Sequence, residues 1–173
     1  MESGDRGTTE SKAGEGLFDG YSEVDTPLSG YAILLGAWTG VYGGLLLAAD
    51  RRGVLPERID PADVLLMGVA THKLTRIATK DWVTAPIRAP FVRYEGSAGG
   101  GEVKEGARGS GLRKAIGDLL TCPWCTGPWV GGALMAALVM RPRATRVLAA
   151  GFAAVAVSDF IHSLYEAAKQ AVD

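Results

Sequence analysis

Pro27 to Ala49 reads PLSGYAILLGAWTGVYGGLLLAA, a stretch without a single charged side chain. About 22 residues rising roughly 1.5 Å each match the ~30 Å hydrocarbon core of a bilayer. The spacing therefore predicts a transmembrane helix. Pro27 suits a first helical turn, and Asp50, Arg51 and Arg52 end the segment in charge, as a helix leaving lipid should. Gly36, Gly40 and Gly44 recur every four residues on one face, which would let another helix approach closely. That face is the expected contact for a second copy or a membrane partner.

Upstream, Met1 to Thr26 is rich in Gly, Ser, Thr, Glu and Asp and holds few large apolar side chains. Too little apolar area is available there to offset the entropy of ordering, so residues 1–26 read as a disordered acidic tail. The tail has neither a basic n-region nor an apolar h-region, and an internal helix is expected to direct insertion. A net charge of −1 across 173 residues gives no global basic field, so nucleic-acid binding is not expected.

Downstream, Pro61 to Lys80 begins apolar and then carries His72, Lys73, Arg76 and Lys80. At 100° per residue the three cations form one stripe, so this second helix either spans the bilayer or ends at its interface beside anionic headgroups. Pro86 and Pro90 interrupt helix between Val83 and Phe91, and the Gly-rich run from Glu95 to Gly111 reads as part of a flexible loop over about 92–112. Leu119–Met140 and Val147–Ala168 are two further apolar stretches, separated by the basic turn Arg141, Pro142, Arg143 and Arg146. The expected fold is an all-α integral membrane bundle of about four helices over residues 27–173. Lys12, Lys73, Arg76, Lys80, Arg88, Arg93, Lys104, Arg108, Arg113, Lys114 and Lys169 on one side, against Arg51, Arg52, Arg58, Arg141, Arg143 and Arg146 on the other, favour cytoplasmic termini and a cytoplasmic central loop.

Chemistry concentrates in two places. Cys122-Pro123-Trp124-Cys125 sets two thiols at i and i+3 at the start of a helix. The positive end of the helix dipole stabilises a thiolate there, and the spacing permits a disulfide or joint metal ligation. On the last helix Asp159, His162 and Glu166 share a face within about 60° of arc, and ionisable groups at membrane depth usually face the bundle interior. Three readings stay open. Cys122, Cys125, His72 and His162 could form a zinc site. The CPWC pair could cycle between dithiol and disulfide against a quinone. Or the chain is a non-enzymatic membrane interaction module, with Asp159 paired to Arg76 or Lys73 and CPWC tightening helix packing.

The run His72–Phe91, HKLTRIATKDWVTAPIRAPF, together with LLTCPWCTGPW at Leu119–Trp129, resembles the bacterial domain-of-unknown-function 1360 family. The likeness extends over about Gly30 to Ala168. It implies a small multi-pass membrane protein without an assigned activity, one branch of the family being associated with spore formation. Carried onto this chain, its motif positions are Arg76, Asp81, Arg88, Cys122, Cys125 and Trp129. Arg76 and Arg88 could equally meet lipid phosphate, and Asp81 could cap a helix.

Overall fold

A computed structural model describes residues 17–171 apart from Asp19. The expected acidic tail lies mostly outside the described residues; Gly20 to Asp25 are exposed turn and irregular chain leading to a buried Pro27.

The described residues form six helices and one hairpin. The first helix, α1, is Leu28–Arg51. The second, α2, is Pro61–Lys80, and its start is strongly specified: the Asp60 carboxylate accepts from the Ala62 N–H at 2.9 Å, Pro61 occupies the first turn, and Asp63 adds negative charge beside the helix dipole. A 3-10 turn at Trp82–Thr84 and the short α3, Ala85–Arg88, lead into β1, Val92–Gly99, paired antiparallel with β2, Glu102–Ala107. Then come α4, Gly111–Thr121, α5, Pro123–Met140, and α6, Pro142–Gln170.

The core lies where α2 meets α5 and α6. Met67 and Ala70 of α2 are buried against Leu134 and Leu138 of α5 and Ala149 of α6, with Leu74 and Phe152 at the fringe. Small residues bring the helices close: a Cβ on Gly131 would meet the Thr71 side chain at 3.5 Å. On the far side of α5, the Trp38 indole of α1 donates to the Pro128 carbonyl at 3.2 Å, and Tyr42 lies over Gly132. The start of α1 packs on α4, where a Cβ on Gly30 would lie 2.7 Å from that of Ala115.

These pairings fix the helix directions. Asp63 and Lys73 of α2 meet Arg146 and Asp159 of α6 in the same order, so α2 and α6 run parallel. The contacts Trp38 with Pro128 and Tyr42 with Gly132 make α1 parallel to α5. α5 runs against α2 and α6. The hairpin, α4, the start of α1 and the ends of α2 and α6 therefore gather at one end of the molecule.

Two expectations are corrected. The chain is mostly helical but not all-α, because the stretch read as a flexible loop is a two-stranded sheet. Its glycines suggested a linker; instead they supply positive φ, at Gly100 and Gly101 for the two-residue hairpin turn and at Gly96 and Gly99 where the register shifts. Nor is it a bundle of four membrane spans. Among the described residues only α1 and α6 are long and apolar enough to cross a bilayer. α2 fails that test through Asp63, Lys73, Arg76 and Lys80, and α5 through an opening segment of proline, tryptophan, threonine and glycine that lowers its apolar character. A Cβ added to Gly36, Gly40 or Gly44 would meet nothing within 4 Å, so among the described residues no helix packs on that face.

Candidate functional site

At the hairpin end, the second half of α2 and the second half of α6 diverge around a cleft of about 990 Å³. On α2, little more than one turn apart, stand His72, Lys73 and Arg76; on α6, Asp159, Phe160, His162, Ser163 and Glu166; the third wall is Asp81, Trp82 and the hairpin turn from Gly99 to Glu102. Helical periodicity explains the gathering, since the α6 residues at i, i+3, i+4 and i+7 from Asp159 share one face.

Ion pairs join the walls. Lys73 Nζ donates to Asp159 Oδ2 at 2.7 Å, with the lysine side chain 15% exposed and the carboxylate 52%. Arg76 Nη2 pairs with the Glu102 carboxylate, tying α2 to the first residue of β2. An isolated bridge between Asp81 and Glu102 fixes the same corner through the backbone. The His72 ring stacks on Phe160, centroids 6.2 Å apart and planes 18° apart. The Trp82 ring lies tilted against Tyr94 of β1 at 5.1 Å. Ser163 is spent on its own helix, its hydroxyl donating to the Asp159 carbonyl at 2.9 Å.

Beneath the hairpin lies Arg88, its side chain 1% exposed. Its Nε donates to Glu105 Oε2 at 2.6 Å, Nη1 to the Ala78 carbonyl at 2.9 Å and the Thr84 hydroxyl at 2.5 Å, and Nη2 to the Asp81 carbonyl at 3.0 Å. One guanidinium thus satisfies the end of α2, the 3-10 turn and β2 together. It is a buried lock behind the cleft wall, not a group facing a ligand.

Of the residues singled out in the sequence, His72, Arg76, Asp81, Asp159, His162 and Glu166 line this one cleft. Arg88 lies behind it. Cys122 and Cys125 sit elsewhere, at the α4–α5 junction, joined as a disulfide with the Cys125 N–H donating to Cys122 Sγ at 3.2 Å. The cleft does not include the cysteines. Among the described residues no group of three or more His, Cys, Asp or Glu side chains is placed to hold an ion, so the four-residue zinc set is not assembled. The disulfide staples the last turn of α4 to the first turn of α5, and Trp124 between its cysteines is 90% exposed.

Sequence reasoning missed Glu102, Glu105, Trp82 and Tyr94. Their signal was present: Gly100-Gly101 is a two-residue hairpin turn, and Val103 and Glu105 alternate with outward residues as strand pairing requires. What the cleft can do chemically is hold a polar partner. Its walls offer a guanidinium, an ammonium, two imidazoles and four carboxylates, with an aromatic floor of Phe160 and Trp82.

Residues 66–165 match a protein family described as a protein of unknown function, DUF1360. A protein of Bacillus subtilis (strain 168) described as sporulation protein YjcA is 32% identical over 109 residues, which is 61% of this chain and 92% of that protein. No solved structure matches.

Proposed function

The chain belongs to the DUF1360 family, and from that premise we propose that it is a membrane interaction module without catalysis of its own, anchored by α1 and α6 and presenting the cleft between α2, α6 and the hairpin to a partner. The observation that carries the reading is the uncovered apolar surface of the two long helices. None of the apolar window of α1 and 11% of that of α6 is buried. Leu35 and Val41 of α1, and Val147, Ile161 and Leu164 of α6, stand more than half exposed. Apolar surface of that extent in contact with water would be unfavourable by roughly 25 cal/mol for each Å², and lipid is the medium that relieves it.

Within this reading the cleft is a built polar surface whose cations are already paired, which suits recognition of a polar partner better than proton transfer. The open face of Gly36, Gly40 and Gly44 is where a partner helix or a second copy would pack. The hairpin end faces the cytoplasm, as the distribution of basic residues favours. The Bacillus subtilis relative's name points to spore formation as a process such a module serves.

The test is extraction. Membranes from cells expressing the full chain, washed with alkaline carbonate, are expected to retain the protein, and detergent alone should release it. Recovery in the carbonate wash would refute the anchoring and with it the proposal.

A further inference from the structure

Where β2 runs into α4, two guanidinium groups converge on one carbonyl. Arg108 Nε donates to the Pro90 oxygen at 3.2 Å, and Arg113 donates to the same oxygen through Nε at 3.0 Å and Nη2 at 2.6 Å. Both side chains belong to exposed residues. Among the described residues neither forms an ion pair with a carboxylate, in contrast to Lys73, Arg76, Arg88, Lys114 and Arg146, each of which has one. Two positive charges held together by a shared acceptor repel each other, and the pair is left short of negative charge. Both Nη1 groups and the Nη2 of Arg108 make no bond within the described residues and remain available as donors.

The position of this pair is set by α4. The first turn of α4 abuts the first turn of α1: a Cβ on Gly30 would lie 3.0 Å from the Gly111 carbonyl and 3.2 Å from the Leu112 Cα. If α1 crosses the bilayer, its first turn marks the membrane surface, and Arg108 and Arg113 stand at headgroup depth. Leu112, next to Arg113 in the chain, and Ile87, three residues before Pro90, are exposed apolar side chains of the kind that dip among acyl chains.

We propose that Arg108 and Arg113 form a site for the phosphate of an anionic phospholipid headgroup, seating the hairpin and α4 on the membrane surface. This rests on the anchoring of α1 proposed above. Phosphate supplies the charge the pair lacks and accepts from both forks, while Pro90 holds the guanidiniums in register before the lipid arrives. Ser110, which precedes α4 without a side-chain capping bond, leaves the positive end of that helix's dipole directed at the same region.

The experiment uses the full chain purified in a neutral detergent and titrated with phosphatidylglycerol, with phosphatidylcholine, or with inorganic phosphate, binding being read by native mass spectrometry and by the thermal midpoint. Phosphatidylglycerol is expected to bind and raise the midpoint, with phosphatidylcholine and inorganic phosphate doing neither. The double variant Arg108→Gln/Arg113→Gln is expected to bind phosphatidylglycerol roughly thirtyfold more weakly. Arg108→Lys/Arg113→Lys, which keeps the charge but not the forks, should recover part of that loss, showing that the deficit is not misfolding. Equal binding of the two lipids, unchanged binding by the glutamine variant, or inorganic phosphate binding as well as the lipid would each overturn the proposal. Carbonate extraction of the glutamine variant separates the two readings. A protein that stays in the membrane without preferring phosphatidylglycerol loses only the headgroup site, whereas one that washes out loses its anchor.

Discussion

A guanidinium at 1% exposure beside a carboxylate at 6% is tolerable only while every donor is matched, and Arg88 meets that demand with Glu105, Thr84 and two carbonyls. Removing one member leaves the other charged and buried. Arg88→Met is therefore expected to destabilise the protein by about 3–5 kcal/mol, measured by unfolding in detergent. Replacing both partners, Arg88→Met with Glu105→Leu, should cost less than Arg88→Met alone, because no orphan charge remains. A double variant less stable than the single one would show that Glu105 stabilises the hairpin through contacts other than the ion pair. The glycines work by a different route. Gly117 has no Cβ because the Phe91 carbonyl and Ala107 occupy that space, which lets α4 press against the base of the hairpin.

Among the elements, α2 and α6 are clamped at both ends of their shared length. At the end away from the hairpin, Arg146 donates to both oxygens of Asp63, Nε at 2.8 Å and Nη2 at 2.7 Å. That hydrogen bonding holds the Asp63 carboxyl below its ordinary value of 3.8. A carboxyl lowered on folding contributes stability that is complete above its unfolded value and is lost as pH falls through the lower folded one. The thermal midpoint in detergent should accordingly hold down to about pH 5 and fall from there toward about pH 2, and Asp63→Asn should start lower at about pH 6 and decline less. Parallel declines in the two proteins would assign the acid sensitivity to other groups. How legible these elements were in the sequence depends on the same chemistry. α2 could be read from Asp60-Pro61 and its apolar period, and α1 from an unbroken apolar run. The hairpin was not legible because its glycines, read by composition, mimic a linker, and strand pairing depends on a partner that one segment does not reveal. His72, Arg76, Asp159, His162 and Glu166 were found because ionisable groups on apolar helices stand out. Glu102 was missed because an acidic residue in a polar loop does not.

At the scale of the whole molecule, every connection between α2 and α4 lies at one end, together with the start of α1 and the end of α6. If α1 and α6 cross the bilayer as proposed, the start of α1 and the end of α6 open on the same side. Single cysteines introduced at Ser22 and at Glu57, in a chain lacking Cys122 and Cys125, should react with a membrane-impermeant maleimide from opposite faces; both positions are exposed. Labelling of residues 22 and 57 from the same face would mean that α1 does not cross.

Because α2 and α6 run parallel, the chain must travel away through the hairpin and α4 and back along α5 before their charges can meet. Lys73 and Asp159 are 86 residues apart in sequence, and Asp63 and Arg146 are 83 apart. Contacts of such separation form late, after the entropy of closing a long loop has been overcome. During synthesis, then, α2 emerges with Asp63 and Lys73 lacking their counterparts until the last helix arrives, and a chain interrupted before α6 would keep that acid and that base unmatched.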